Sequence, residues 1–587
     1  MAERGARDLT GRFDIGTDRV DDHRRDATVV ERRRAARTNG HEDLTIVSRD
    51  VVDDERTGDV DERDGDRSPG PAPDRPHRTP RTSALQWVLG ALVIVVPAVY
   101  LRVVALGALG FNSDEAVYAG QAASIAGQTQ FLPYFPVFRA HPLLFQSLLS
   151  LPYQFGVSPL VGRLLSAALG LATVGVVYVA GVRLHSRRVG FVAALILAVM
   201  PYHVIVTRQV LLDGPTTFFA TVGLYLLIRY ADSDPEEHVQ RLTWLAGAAA
   251  AMALSFLSKE TSVLLMGGVY AFIALSPELR PRLRHLFAAL VVYAAIISVY
   301  PVSLALSGRQ STGHSFLVWQ LFRRANHSWT FYPTVLPSAM GVLVLLAVVF
   351  GLFQLRRRKT WRERLLLCWI LVPFGFFQIW PVKGFQYLLP IAPAVAMLAA
   401  LGLTVGVDLF ALRRMRSSGQ QITVVAVGAT VLSLAVSSFL QVRPQAAGTE
   451  FLAGSGGVLG GREAGWWVRD NVPEGGRMLA LGPSMANIIQ FYGDRKVYGL
   501  SVSPNPLHRN PVYEPVYNPD YKLRNNDIHY LIWDSYSAGR SSFFSDKLQR
   551  YAERYNGRVV HTETVEVRTP AGEVVEKPAI IIYEVRP

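Results

Sequence analysis

The chain reads as a polytopic α-helical membrane protein, and three observations carry that reading. Half of its 587 residues are hydrophobic while only 18% are charged, far less charge than a soluble chain of this length uses to cover its surface. Long apolar runs begin near residue 84 and recur to about residue 441, separated by short charged connections. The arginines concentrate in alternate connections, as the positive-inside rule requires of a membrane-spanning chain.

The first 82 residues stand apart. They hold 17 Arg, no Lys and 20 acidic residues, no Trp or Tyr, and end in Ser68-Pro69-Gly70-Pro71-Ala72-Pro73. Such a segment buries too little apolar surface to offset its chain entropy, so 1–82 is expected to be a disordered cytoplasmic tail. The first apolar run follows it and is too long for a signal-peptide core. The whole chain carries a net charge of +13, and with an acidic-leaning tail the excess lies on the hydrophobic part. That distribution excludes nucleic acid as a partner. The single cysteine, Cys368, excludes a disulfide framework and a cysteine-based zinc site.

Eleven spans are expected, near 84–106, 160–182, 189–206, 214–229, 242–258, 262–276, 286–306, 335–354, 365–380, 388–411 and 422–441. Most have the length that crosses a hydrocarbon core of about 30 Å. Arg183, Arg187 and Arg188, then Arg280, Arg282 and Arg284, then Arg356-Arg357-Arg358-Lys359, then Arg413, Arg414 and Arg416 mark the cytoplasmic loops. The tail is then cytoplasmic, and an odd number of spans leaves the C-terminus outside. The expected organisation is the tail 1–82, a transmembrane catalytic domain 83–445 with its first outer loop at 107–158, and an extracytoplasmic α/β domain 446–587. In the last, alternating and amphipathic patterns predict strands near 477–481, 495–500 and 528–533, helices near 462–469, 484–492 and 542–555, and a terminal hairpin near 558–585.

Ionisable residues at membrane depth are costly and are the informative positions in such a chain. Asp114-Glu115 follows the first span, with Tyr118 one turn on and His141-Pro142-Leu143 later in the same loop. Paired acidic residues in a first helical turn also suit the helix dipole. Arg208 to Asp213 forms a second outer site, where Asp213 has the alternative of capping the next helix. Lys259-Glu260 forms a third, where a snorkelling lysine is the alternative. Lys383 to Tyr387 forms a fourth, with an interfacial aromatic anchor as its alternative. The topology set by the arginines puts all four on one face. Carboxylates from two loops and cations from three can therefore converge, one carboxylate deprotonating an acceptor while cations hold a phosphate leaving group.

This order, Asp114-Glu115, His141-Pro142-Leu143, Arg208 to Asp213, Lys259, and Lys383 to Tyr387-Leu-Leu-Pro390, resembles the GT-C glycosyltransferases, in particular the dolichyl-phosphate-mannose-protein mannosyltransferase and ArnT-like branch. The resemblance covers about 84–411. It implies inverting transfer of a sugar, mannose or another hexose, from a polyprenyl-phosphate carrier to a protein, lipid or glycan acceptor at the outer face of the cell membrane. It implies Asp114 as the base with Glu115 beside it, Asp213 as the second carboxylate, and Arg208, Lys259 and Lys383 on the carrier phosphate. Tyr118, His141, Glu260 and Tyr387 complete the expected substrate site. His141-Pro142 departs from the Lys-Pro-Pro usual in the ArnT branch, which argues against aminoarabinose transfer. The family divides on metal dependence, so the cofactor is left undetermined. A lipid-linked-sugar flippase or transporter component is the alternative. It would place charges near the midplane and show internal repeats, and neither is evident here. A non-catalytic scaffold displaying the C-terminal region explains the topology but not the convergence.

Overall fold

The computed structural model describes residues 84–137, 141–308, 310–356, 360–414, 419–443, 457–568 and 572–586. The tail 1–82, Arg139, Arg357 to Lys359 and Arg416 lie outside the described residues.

All eleven expected spans fall on helical segments, but the helices differ in kind. Six are long and apolar enough to cross a membrane: Ala84–Val103, Pro159–Leu184, His238–Ser258, Leu283–Leu306, Phe385–Ala411 and Gly419–Val442. Two further spans are broken, Arg187–Val199 with Pro201–Thr207 at 58° and Phe331–Met340 with Val342–Leu355 at 98°. The first break falls where Pro201 has no N–H to continue the ladder. The second falls at Gly341, whose φ of 91° lies in the left-handed region that favours glycine. Up to eight spans therefore pass by length and composition. The other three expected spans lie on Asp213–Asp232, with charges at both ends, on Glu260–Ala274, which is short, and on Trp361–Ile379, which opens with Arg362, Glu363 and Arg364.

The chain is thus a polytopic helical membrane protein. Phe385–Ala411 is its central helix, with 94% of its apolar window buried, whereas Ala84–Val103 and Gly419–Val442 are 11% and 22% buried and lie at the periphery. Small residues let the helices close up, as packing within a bilayer favours. A Cβ on Gly402 would stand 2.1 Å from the Ala347 carbonyl oxygen, and one on Gly181 would stand 2.7 Å from the Gly190 Cα.

Residues 457–586 carry a five-stranded sheet: β1 Met478–Ala480, β2 Val497–Gly499, β3 Tyr530–Asp534, β4 Arg558–Arg568 and β5 Val574–Glu584. Its order is β2-β1-β3-β5-β4. β1 runs parallel to β2 and β3, β5 runs antiparallel to β3, and β4 and β5 form the terminal hairpin. This region packs directly on the connection that follows Ala84–Val103. Phe111 N donates to Tyr492 Oη at 2.9 Å, Asn487 Nδ2 donates to Ser113 Oγ at 3.0 Å, and Arg462 Nη1 donates to the Gly107 carbonyl at 2.8 Å.

Candidate active site

The linker after Ala84–Val103 leads into the helix Ser113–Ile125 through a capping box. Asn112 Oδ1 accepts from Glu115 N, and Glu115 Oε2 accepts from Asn112 N. The linker is then pinned by Arg163. Its Nε and Nη2 each donate at 2.8 Å to Glu115, and its remaining N–H groups reach the carbonyls of Leu106, Leu109 and Gly110. Val210 N adds a fourth donor to the Glu115 carboxylate, at 3.0 Å. Both Glu115 oxygens are therefore consumed inside the protein and the side chain is fully buried. Glu115 differs from the expectation of a reacting carboxylate: geometry makes it an anchor, because four protein donors leave no acceptor site for substrate.

Asp114, one residue earlier, points elsewhere and is half-buried. Among the described residues no hydrogen-bond donor reaches its carboxylate. Burial pushes its acid strength down, so its pKa is raised, with the opposing charges of Lys259, His141 and Arg323 holding the rise in check. Tyr118, one turn on, is buried beside the same charges. Burial first, then Asp114, Asp213 and Glu260, push its phenol well above the ordinary tyrosine value.

The second carboxylate, Asp213, does not cap its helix. The N-cap of Asp213–Asp232 is Leu212, with no side-chain cap bond. The Asp213 carboxylate instead receives both contacts of Lys259 Nζ, at 2.8 and 2.9 Å. Lys259 reaches it because its backbone is extended (φ −157°, ψ 123°) between the helix His238–Ser258 and the turn Glu260–Ser262. The same break turns Glu260 the other way, where its Oε2 lies 2.7 Å from His141 Nδ1. Lys259 Nζ also stands 4.7 Å from the Tyr387 ring centroid, a cation–π distance. The His141 ring packs edge-on against Phe316 at 5.1 Å and Tyr118 at 6.1 Å.

Asp114, Tyr118, His141, Asp213, Lys259, Glu260 and Tyr387 thus form one cluster from four connections between helices. Two expected members stand outside it. The Arg208 guanidinium donates to the carbonyls of Leu101 and Val104 at 2.6 and 2.7 Å, capping the first helix. The correction has a plain cause, since unsatisfied carbonyls at a buried helix end need donors. Lys383 Nζ donates to the Trp380 carbonyl at 3.0 Å and lies 5.8 Å from the Trp329 ring. Its backbone is held by Asn326, whose amide makes two bonds of 2.8 Å to the Lys383 N and O. Asn326, Arg163 and Arg323 were not among the residues that sequence reasoning assigned to the site. The available signal for Arg163 was its position a few residues into an apolar run, where an unpaired charge is costly. Among the described residues no group of three or more His, Cys, Asp or Glu side chains is placed to hold a metal ion.

Residues 140–304 match the family described as dolichyl-phosphate-mannose-protein mannosyltransferase. Over 248 residues the chain is 28% identical to an undecaprenyl phosphate-alpha-4-amino-4-deoxy-L-arabinose arabinosyl transferase of Pseudomonas aeruginosa, covering 40% of this chain and 43% of that protein. The chain thus spans less than half the length of the curated relative it matches. In three dimensions it is similar to ArnT from Cupriavidus metallidurans bound to undecaprenyl phosphate, with a TM-score of 0.62 at 15% identity over 85% of this chain and 98% of that one. It is also similar to the archaeal oligosaccharyltransferase AglB from Archaeoglobus fulgidus, with a TM-score of 0.53 at 13% identity over 85% and 75% of the two chains. The fold is that of the GT-C glycosyltransferases. Within that class the likeness is to the branch that contains ArnT and the protein O-mannosyltransferases.

Proposed function

We propose that this protein transfers a sugar from a polyprenyl-phosphate carrier to a hydroxyl-bearing protein, lipid or glycan acceptor at the outer face of the cell membrane, with inversion. The observation that carries the reading is the contrast among the four carboxylates. Glu115 is saturated by Arg163 and backbone donors, Asp213 by Lys259, and Glu260 faces His141, whereas Asp114 has no protein donor among the described residues. An unoccupied carboxylate of raised pKa beside cations is what a general base for a hydroxyl needs.

In this reading the acceptor oxygen attacks the anomeric carbon while Asp114 takes its proton. The bond from that carbon to the phosphate oxygen breaks, and the electron pair leaves with polyprenyl phosphate. Arg323, whose charge reaches Asp114 and which forms no ion pair with a carboxylate among the described residues, offsets that charge. Lys259 is bound to Asp213 and positions it. Glu115 positions Asp114 through the capping box. Tyr118, His141 and Tyr387 line the path of the sugar. The resemblance favours mannose or another hexose, and His141-Pro142 in place of Lys-Pro-Pro supports that choice over aminoarabinose. The domain boundaries follow: a cytoplasmic tail 1–82, the catalytic helices 83–445 and an extracytoplasmic domain 446–587.

The test uses purified protein in lipid nanodiscs with radiolabelled mannosyl- and arabinosyl-phosphate polyprenols, and follows release of polyprenyl phosphate together with label in a membrane extract. Wild-type protein is expected to consume one of them. Asp114→Asn, inserted and folded normally, is expected to lose about 10²–10⁴-fold in rate, the usual contribution of a general base. Undiminished transfer by that variant removes the assignment.

A further inference from the structure

The sheet of residues 457–586 has a switch point that the transfer chemistry leaves unused. From central β1 the chain passes through the helix Pro483–Gly493 to β2 on one side, then returns to β3 on the other. In open α/β sheets, ligands settle in the crevice at the carboxyl ends of the strands where the winding reverses. A cavity of about 190 Å³ lies there, lined by Gly482 and Ser484 after β1, Ser501 after β2, and Asp534, Ser537 and Arg540 at and after β3.

Its chemistry is unfinished. Asp534 is fully buried. One carboxylate oxygen accepts from Ser537 N at 2.7 Å, but Oδ2 has no hydrogen-bond partner among the described residues. A buried acceptor without a donor costs free energy and is rare in a folded protein. Burial pushes the carboxyl up to about 6, so it is ionised at neutral pH. The helix Pro483–Gly493 begins at Gly482 with no side-chain cap, so its first N–H groups also face this end of the sheet. A Cβ on Gly482 would stand 3.2 Å from Ser537 Oγ and 3.5 Å from Ser501 Oγ, which places both hydroxyls around the glycine. An unpaired carboxylate oxygen asks for a ligand that donates, and the serine hydroxyls and helix N–H groups ask for one that also accepts. A ring bearing several hydroxyls does both, and the space suits a single ring rather than a lipid.

The cavity is coupled to the cluster described above. Four residues along the same helix, Asn487 donates to Ser113 Oγ, next to Asp114. The charge of Arg540 is felt by both Asp534 and Asp114. We propose that this cavity is a saccharide subsite, holding one neutral sugar ring of a glycan acceptor through Asp534, Ser501, Ser537 and Arg540. That the ring belongs to the acceptor rests on the transfer reading above; that the cavity takes a sugar does not.

Saturation-transfer NMR on the full chain in nanodiscs, with methyl mannoside, methyl glucoside and methyl galactoside as probes and inorganic phosphate as competitor, tests it. At least one glycoside is expected to bind. Asp534→Asn, which keeps the cap to Ser537, is expected to weaken it about tenfold, and Ser484→Trp, which fills the partly exposed mouth, to abolish it. Asp114→Asn is expected to bind the sugar unchanged, so binding without transfer separates failure of the transfer reading from failure of this one. Unaltered binding in both cavity variants overturns the proposal, as does the absence of binding by all three glycosides. Displacement of the glycoside by phosphate at equal concentration also overturns it, since that marks an anion site.

Discussion

Two adjacent carboxylates have opposite fates because each meets a different set of donors. Glu115 sits at the third position of a helix whose N-cap is Asn112, so it turns back into the capping box and meets Arg163. Removing one partner of such a buried pair leaves an uncompensated charge, which costs about 3–5 kcal/mol. Arg163→Ala is therefore expected to lower the apparent Tm strongly in a thermal aggregation assay. Arg163→Lys is expected to recover only part of it, because an ammonium lacks the fork that spans both Glu115 oxygens. In the proposed mechanism Asp114 carries the pH dependence. Its raised pKa means that it is protonated, and unable to accept a proton, over a wider acid range than an ordinary carboxylate. The acid limb of kcat/KM is expected above the usual Asp value of about 4, and a limb at or below that value would exclude Asp114 as the group reported. At this scale the pairings were not legible in the sequence. Arg208 and Lys259 look alike as cations beside an outer loop, and only the carbonyls of Leu101 and Val104 around one and the Asp213 carboxylate beside the other distinguish them.

Helical periods and apolar length were legible wherever the chain is uniformly apolar, as in Pro159–Leu184 or Gly419–Val442. The strands of the C-terminal region were legible too, since β1 and β3 are short apolar runs bounded by turn residues. Breaks were not. The runs near 189–206 and 335–354 read as continuous, yet each is two helices, because the pattern of apolar residues is unchanged across Pro201 and Gly341. Close approach is also invisible in one chain. The glycine contacts at Gly181 with Gly190 and at Gly402 with Ala347 leave no room for a side chain. Gly402→Leu is expected to prevent a monodisperse peak in fluorescence-detected size exclusion, whereas Gly428→Leu, where a Cβ would meet nothing within 4 Å, is expected to elute as the wild type does.

For the whole molecule, the helical part and the sheet are joined at the loop that carries Asp114. Tyr492 and Asn487 bond to Phe111 and Ser113, so the sheet region holds the loop on which the proposed base stands. Tyr492→Phe combined with Asn487→Ala is expected to lower transfer about tenfold without changing membrane insertion, measured by carbonate extraction alongside turnover. The proposed orientation has its own test, made simple by a chain with one cysteine. On a Cys368→Ala background, Tyr521→Cys, 56% exposed in the sheet region, is expected to react with an impermeant maleimide added outside cells. Arg280→Cys, in a proposed cytoplasmic loop, is expected to react only after lysis. The reverse pattern would turn the orientation over.

The sequence by itself determined the membrane class, the positions of the helical segments and the four short stretches that make up the candidate site, because hydropathy and charge placement are one-dimensional properties. The tertiary structure decided which of those residues face one another. It left Asp114 without a protein donor among the described residues, gave Glu115 and Arg208 to structural bonds and tied Lys259 to Asp213. It also brought the switch point of a distant sheet beside the loop that carries Ser113 and Asp114. Hydrogen bonds and ion pairs between residues tens to hundreds of positions apart depend on the folded path of the backbone, and no local pattern encodes them.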